Sequence, residues 1–164
     1  MTPRAAGLVV AVTSFIADQA VKLWFLRVYD LAENGPVAVA PFAEFRLVWN
    51  YGISYGLLRQ HETVGRVALI AFAVAAAVAL TVWLWRQGRA LPALSLGLVI
   101  GGAVGNALDR ALYGAVVDYV HLFLPDRSFS WYVFNLADVW IVAGVIGLLI
   151  DSVIGPKDAT KAGE

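Results

Sequence analysis

The sequence predicts a mainly α-helical integral membrane protein: four transmembrane helices that carry a small extracytoplasmic β-structure. Three observations lead there. Of 164 residues, 60% are hydrophobic and only 15% are charged, whereas a soluble domain carries about 45–50% apolar and about 25% charged residues. Four stretches are long enough to cross a bilayer as a helix, which takes roughly 20 mostly apolar residues. Two longer segments between them show alternation of a strand type.

The first span covers about 5–26, with Asp18 and Lys22 in its second half. Arg4, the apolar run and Ala17 to Ala20 resemble a secretory signal peptide, but Asp18, Lys22 and Arg27 fit a cleavage region poorly and three more spans follow. The second span covers about 64–85 and is uncharged after Arg66. The third, about 91–110, carries Gly97, Gly101 and Gly105 every four residues, a spacing that lets a neighbouring helix backbone approach closely in lipid. It ends on Asn106, Asp109 and Arg110. The fourth, about 133–152, has Asn135 and Asp138 at its start. Trp83, Trp85, Trp131, Tyr132 and Trp140 lie near span ends, where amphipathic rings favour the interface.

Arg4, Arg86, Arg89, Lys157 and Lys161 fall in short flanks on one side, so the positive-inside rule places both termini in the cytoplasm. The segments of about 28–62 and 112–132 then face outward. In the first, Glu44 and Arg46 alternate with Phe45, Leu47 and Trp49, which predicts a strand over Phe42 to Trp49 bracketed by turns at Gly35-Pro36 and Asn50 to Gly52. The second predicts a strand over Val116 to Phe123 and a short one over Phe129 to Val133. No repeat or low-complexity linker divides residues 1–164, so one polytopic membrane domain is expected.

The formal net charge is zero, so nothing points to nucleic acid as a partner. The absence of cysteine excludes disulfides, a thiol nucleophile and a cysteine zinc site. His61-Glu62 lacks the second histidine of a zincin, and with only His61 and His121 present neither a metal site nor a cofactor is expected. Gly52-Ile53-Ser54-Tyr55-Gly56 fits G-x-S-x-G, but that serine elbow needs the strand–turn–helix of an α/β-hydrolase, and no βαβ pattern exists here; a triad of Ser54 with His61 or His121 and an acid is the lesser alternative.

Span order alone places Asp18, Lys22, Asn50, Gly52, Asn106, Asp109, Arg110, Asp118, Asn135 and Asp138 toward one side of the membrane. Ionisable groups in spans are costly and usually have a role. Each also has a structural reading. Asp18 and Lys22, four apart, make a self-neutralising pair. Arg110 reaches for the interface. Asn135 and Asp138 match a helix N-cap followed by an acid at the third helical position. His121 reads as an interfacial or loop histidine. Asp118 is hardest to dismiss, because aspartate is disfavoured in strands and Val116-Val117-Asp118-Tyr119-Val120 is otherwise apolar. Two facing carboxylates at a partly dry interface share a proton and titrate together. The charged one can take a proton from water attacking a carbonyl, while the protonated one polarises that carbonyl and protonates the leaving amine.

Five blocks in order carry a family resemblance: Asp18-Gln19 with Lys22; Asn50-Tyr51-Gly52 leading to Tyr55-Gly56; Gly101 through Arg110; Val117-Asp118; and Phe134-Asn135-Leu136-Ala137-Asp138. With four spans, the chain resembles the lipoprotein (type II) signal peptidases over most of its length. Tyr55 departs from the phenylalanine common there. The resemblance implies an aspartic endopeptidase of the bacterial cytoplasmic membrane with its site at the outer face, and a fold of four helices, an outer β-cradle and a small outer helix. It implies Asp118 and Asp138 as the catalytic pair, with Asp18, Lys22, Asn50, Gly52, Asn106, Asp109, Arg110 and Asn135 in support or binding substrate. The implied substrate is a diacylglyceryl-modified prolipoprotein cut just before the lipidated cysteine, the implied inhibitor is a globomycin-type cyclic peptide, membrane lipid surrounds the enzyme, and a monomer is expected. Which aspartate is base and which acid stays open. Two rival classes are a small ion channel or transporter lined by the intramembrane polar residues, and a presenilin-type protease, whose Gly-x-Gly-Asp motif is absent.

Overall fold

A computed structural model describes residues 1–52 and 62–154. Ser54, Tyr55, Gly56, His61, Lys157 and Lys161 lie outside the described residues. Four helices are long and apolar enough to cross a membrane. Helix α1 (Pro3–Leu23) starts with proline in its first turn and Thr2 as N-cap, whose hydroxyl accepts from the Ala5 N–H at 3.3 Å. It continues into a π-helical turn, Trp24–Val28. A one-turn helix α2 (Leu31–Asn34) follows, then strands β1 (Val37–Ala40) and β2 (Ala43–Asn50). Helices α3 (Glu62–Leu84) and α4 (Ala90–Tyr113), strand β3 (Val116–Leu122) and helix α5 (Leu136–Ile154) complete the order. The four predicted spans coincide with α1, α3, α4 and α5; the fourth starts three residues late because Asn135 caps it rather than joining it.

Helix α4 is central and packs on α1, α3 and α5. Its glycines explain the closeness. A Cβ on Gly97 would overlap the carbonyl oxygen of Gly7, one on Gly101 would meet the Ala11 oxygen at 2.5 Å, and one on Gly105 would meet Asp18 Oδ2 at 2.6 Å. These partners climb α1 in step with α4, so the two helices run parallel. On the opposite side, a Cβ on Gly102 would strike the Ala137 oxygen at 2.5 Å and one on Gly144 the Ser95 oxygen at 2.5 Å, which sets α5 antiparallel to α4. Leu84, Ala93, Leu96, Ile100 and Ala11 fill the apolar core between α1, α3 and α4. Outward-facing residues such as Phe72, Val142 and Leu149 are exposed and apolar, as lipid contact requires.

The three strands form one antiparallel sheet in the order β1-β2-β3 at the end where α1 and α4 finish and α5 begins. The two longer strands fall where the sequence predicts them. Strand β1 escapes a sequence reading because Val37-Ala38-Val39-Ala40 is half alanine and has no aromatic residue. The short strand expected over Phe129 to Val133 is reduced to isolated bridges, Ser130 to Phe123 and Phe134 to Val120. Phe25, delivered by the π-helical turn, packs its ring on Phe45 and Tyr119 at 4.9 and 4.6 Å between centroids, and so fastens the sheet to α1.

Candidate active site

The site is assembled from five elements that reach the sheet end of the bundle. Helix α1 contributes Asp18, Gln19 and Lys22. Helix α4 contributes Asn106, Asp109 and Arg110. Strands β2 and β3 contribute Asn50 and Asp118, and the start of α5 contributes Asn135 and Asp138. With Gly52, which follows β2 and lies against Asn50 and Arg110, all ten residues singled out in the sequence are brought to this one end, and Gln19 joins them.

Lys22 lies at the bottom, 1% exposed, and its three N–H bonds are all satisfied: Asp109 Oδ2 at 2.7 Å, Asp18 Oδ2 at 2.8 Å and Asn106 Oδ1 at 3.0 Å. The pair four residues apart on α1 is therefore not self-contained; it shares its cation with α4. Gln19, to which the sequence assigned no role, donates to Asp109 Oδ1 at 3.0 Å and to Asp18 Oδ2 at 3.2 Å. These carboxylates also reach the backbone just ahead of the two other aspartates. Asp109 Oδ2 accepts from the Val117 N–H at 3.1 Å, immediately before Asp118. Asp18 Oδ1 accepts from the Ala137 N–H at 2.9 Å, immediately before Asp138. One buried cation thus ties together the two backbone segments that present Asp118 and Asp138.

Three amide side chains join those aspartates, and each is forced into one orientation by a neighbour that can only donate. The Lys22 ammonium takes Asn106 Oδ1, so Asn106 Nδ2 turns to Asp138 Oδ1 at 2.9 Å. The Asp138 N–H takes Asn135 Oδ1 at 3.0 Å, so Asn135 Nδ2 turns to Asp118 Oδ1 at 2.6 Å and to Asn106 Oδ1 at 3.1 Å. The Gly52 N–H takes Asn50 Oδ1 at 2.8 Å, so Asn50 Nδ2 turns to Asp118 Oδ2 at 2.9 Å. Asp138 Oδ2 accepts from the Asn135 N–H at 3.1 Å, completing a reciprocal capping box. The capping reading of Asn135 and Asp138 holds, and it leaves Asp138 Oδ1 free to join the polar chain.

Asp118 is 1% exposed. Burial, opposed by the Asn50 and Asn135 hydrogen bonds and reinforced by the charge of Asp138, pushes its carboxyl up to about 6. Gly52 sits at φ +83° against Arg110; a Cβ there would meet Arg110 Nη2 at 3.3 Å. Arg110 is half-buried and its Nη1 donates to the Asn106 carbonyl at 3.3 Å. Among the described residues it forms no ion pair, and its charge acts on Asp118, Asp138 and Asp109 from a distance.

Above the sheet, a groove of about 550 Å³ runs between Trp49 to Gly52 and Ser130 to Val133, with Asp118 and His121 on its surface. That volume suits a small ligand or a short stretch of chain. Asp138 is partly exposed and is not among the lining residues; the amides link it to Asp118. Two expectations need correction here. His121 is neither interfacial nor in a loop: it is buried on β3 beside Glu44, its cross-strand partner. Glu44, which the alternation sets on the polar face of the strand, is 6% exposed, because His121 and two arginines cover it. Among the described residues no group of acidic and histidine side chains has the arrangement of a metal site. At the other end of the bundle Arg89 pairs with Asp151 at 2.6 Å and the Arg4 Nε donates to the Gln87 carbonyl at 3.3 Å, so the α1 start and the α3–α4 turn share a side.

Four apolar helices, a small sheet and a buried carboxylate–amide cluster where they meet define a polytopic membrane protein with a built polar centre. Residues 10–154 match the family profile described as Signal peptidase (SPase) II. A curated lipoprotein signal peptidase of Nitrobacter hamburgensis is 53% identical over 93% of this chain and 94% of its own length. One from a Methylobacterium species is 53% identical, covering 93% and 92%. One from Rhodopseudomonas palustris is 47% identical over 99% of both chains. Among solved structures, a bacterial membrane enzyme superposes with a TM-score of 0.76 over 98% of this chain and 94% of that one; at 23% identity it speaks for the fold alone. The chain belongs to the signal peptidase II family.

Proposed function

We propose that this protein is an aspartic endopeptidase of the bacterial cytoplasmic membrane that removes the signal peptide from diacylglyceryl-modified prolipoproteins, cutting just before the lipidated cysteine. The observation that carries the reading is the chain of oriented amides that joins Asp118 to Asp138 beside a groove. Family membership and relatives near half identity that are lipoprotein signal peptidases support the substrate class. Both carboxylates receive only N–H donors from the protein, so the pair is held in place. The ionised member takes a proton from water as it attacks the scissile carbonyl. The protonated member polarises that carbonyl and then protonates the departing amine. No cofactor enters these steps.

Asn50, Asn106 and Asn135 orient the pair, and Gly52 locks Asn50 while leaving room for Arg110. Arg110 adds a positive field beside the developing negative charge. Asp18, Lys22 and Asp109 lie too deep to touch substrate and act as positioning residues. The sheet end faces outward, both termini are cytoplasmic, lipid surrounds a monomer, and a globomycin-type cyclic peptide blocks the groove.

The test is product analysis on the purified protein with a synthetic precursor, with and without diacylglyceryl on its cysteine. The expected product starts at the lipidated cysteine and forms only from the lipidated precursor. Equal cleavage of both precursors, or cleavage elsewhere, overturns the substrate assignment.

A further inference from the structure

The proposed peptidase chemistry leaves one buried titratable cluster unused. Ser130, His121 and Glu44 form a hydrogen-bonded chain on the same groove. Asp118 and His121 lie three positions apart on β3, about 10 Å at roughly 3.3 Å per residue. Ser130 Oγ lies 2.6 Å from His121 Nε2, and His121 Nδ1 lies 3.0 Å from Glu44 Oε1. Ser130 is exposed, whereas His121 and Glu44 are buried behind it.

The surroundings decide which atom carries which proton. Arg46 Nη2 lies 2.9 Å from Glu44 Oε1, and Arg127 Nη2 lies 3.5 Å from Glu44 Oε2. The His121 hydrogen bond, followed by these two arginines against the opposing effect of burial, holds the Glu44 carboxyl below its usual range. An ionised carboxylate only accepts, so His121 Nδ1 must carry the hydrogen. In the uncharged tautomer with that hydrogen on Nδ1, the Nε2 lone pair faces Ser130 and accepts its O–H. That is the nucleophile–base–carboxylate order in which a serine hydroxyl is activated.

We propose that Ser130 is an activated serine that reacts with amphiphilic acyl esters and phosphonyl electrophiles, with His121 as its base and Glu44 orienting the imidazole. Ser130 Oγ bonds to the acyl carbon as its proton passes to His121 Nε2. The ester C–O bond breaks and the departing alkoxide takes that proton, which leaves an acyl-serine that water hydrolyses by the same route. Trp131 and Tyr132, exposed on the groove wall, favour an apolar chain on the ester. Neither Asp118 nor Asp138 takes part.

A long-chain alkyl fluorophosphonate on the full chain in detergent micelles tests this. The Oγ–P bond forms, the P–F bond breaks and fluoride leaves, so the adduct is stable and peptide mass mapping locates it. Ser128 is an internal reference two residues away, since its hydroxyl donates to Asp126 Oδ1 at 2.7 Å and not to a histidine. The expected result is an adduct at Ser130 formed at least tenfold faster than at Ser128, absent in Ser130→Ala, slowed to the Ser128 rate in His121→Gln and unchanged in Asp118→Asn. Equal rates at the two serines, or no adduct at Ser130, overturn the proposal, and that comparison is made within the unaltered protein.

Discussion

A buried carboxyl pushed up to about 6 has a consequence for stability with a definite sign. The unfolded chain holds Asp118 near 3.8, so between roughly 4 and 6 the folded state binds the extra proton. Stability contributed by that proton is present at acid pH and is lost as pH rises through about 6. The shift of about two units corresponds to about 3 kcal/mol. Measured as the difference between the wild-type protein and Asp118→Asn, stability should decline by about that amount from pH 4 to pH 7. A difference that stays flat across the window would mean that Asp118 is not held in a desolvated site. At this scale the sequence was informative about residue identity and poor on partners. An aspartate in an apolar strand was legible as an anomaly. That Asn50, Asn106 and Asn135 each have one end claimed by a donor was not, because the donors come from elements far away in the chain.

The helix packing is set by backbone approach, and single methyl groups report on it. Gly102→Ala would drive a Cβ into the Ala137 carbonyl and Ile141, at the turn of α5 that carries Asp138. Neither can yield without parting the helices, so destabilisation of about 1–3 kcal/mol is expected, together with lost cleavage. Gly88→Ala meets nothing within 4 Å in the α3–α4 turn and should stay within about 0.5 kcal/mol of wild type. Comparable thermal midpoints for the two variants would show that α4 and α5 are not in this contact. The four helices were legible because lipid demands long apolar runs, and the glycine spacing on α4 pointed to a close partner. The reach of Gly101 and Gly105 toward α1, and of Gly102 toward α5, was not readable, since periodicity gives a face and never names what covers it. Strand β2 showed through its alternation and β3 through its apolar, strand-like run. Glu44 broke the pattern because pairing with His121 and Arg46 outweighs the usual exposure of a glutamate.

Across the whole molecule, Lys22 joins α1 and α4, and the two carboxylates it holds secure the approaches to Asp118 and Asp138. Replacing it by methionine leaves Asp18 and Asp109 buried together and frees the Asn106 amide. Breaking a buried ionic cluster at one member destabilises by about 3–5 kcal/mol. Lys22→Met should therefore unfold at a markedly lower temperature, and adding Asp18→Asn should recover part of the loss by removing one unpaired charge. A wild-type midpoint for Lys22→Met would contradict the bracket. The most direct test of the central claim concerns the two aspartates themselves. Purified Asp118→Asn and Asp138→Asn, each folded and in lipid, are assayed for cleavage of a diacylglyceryl-modified precursor. Loss of one half of an acid–base pair removes a contribution of about 10²–10⁴-fold, so both variants should fall by at least the lower figure. Near wild-type cleavage by either one would contradict the pair as the catalytic centre.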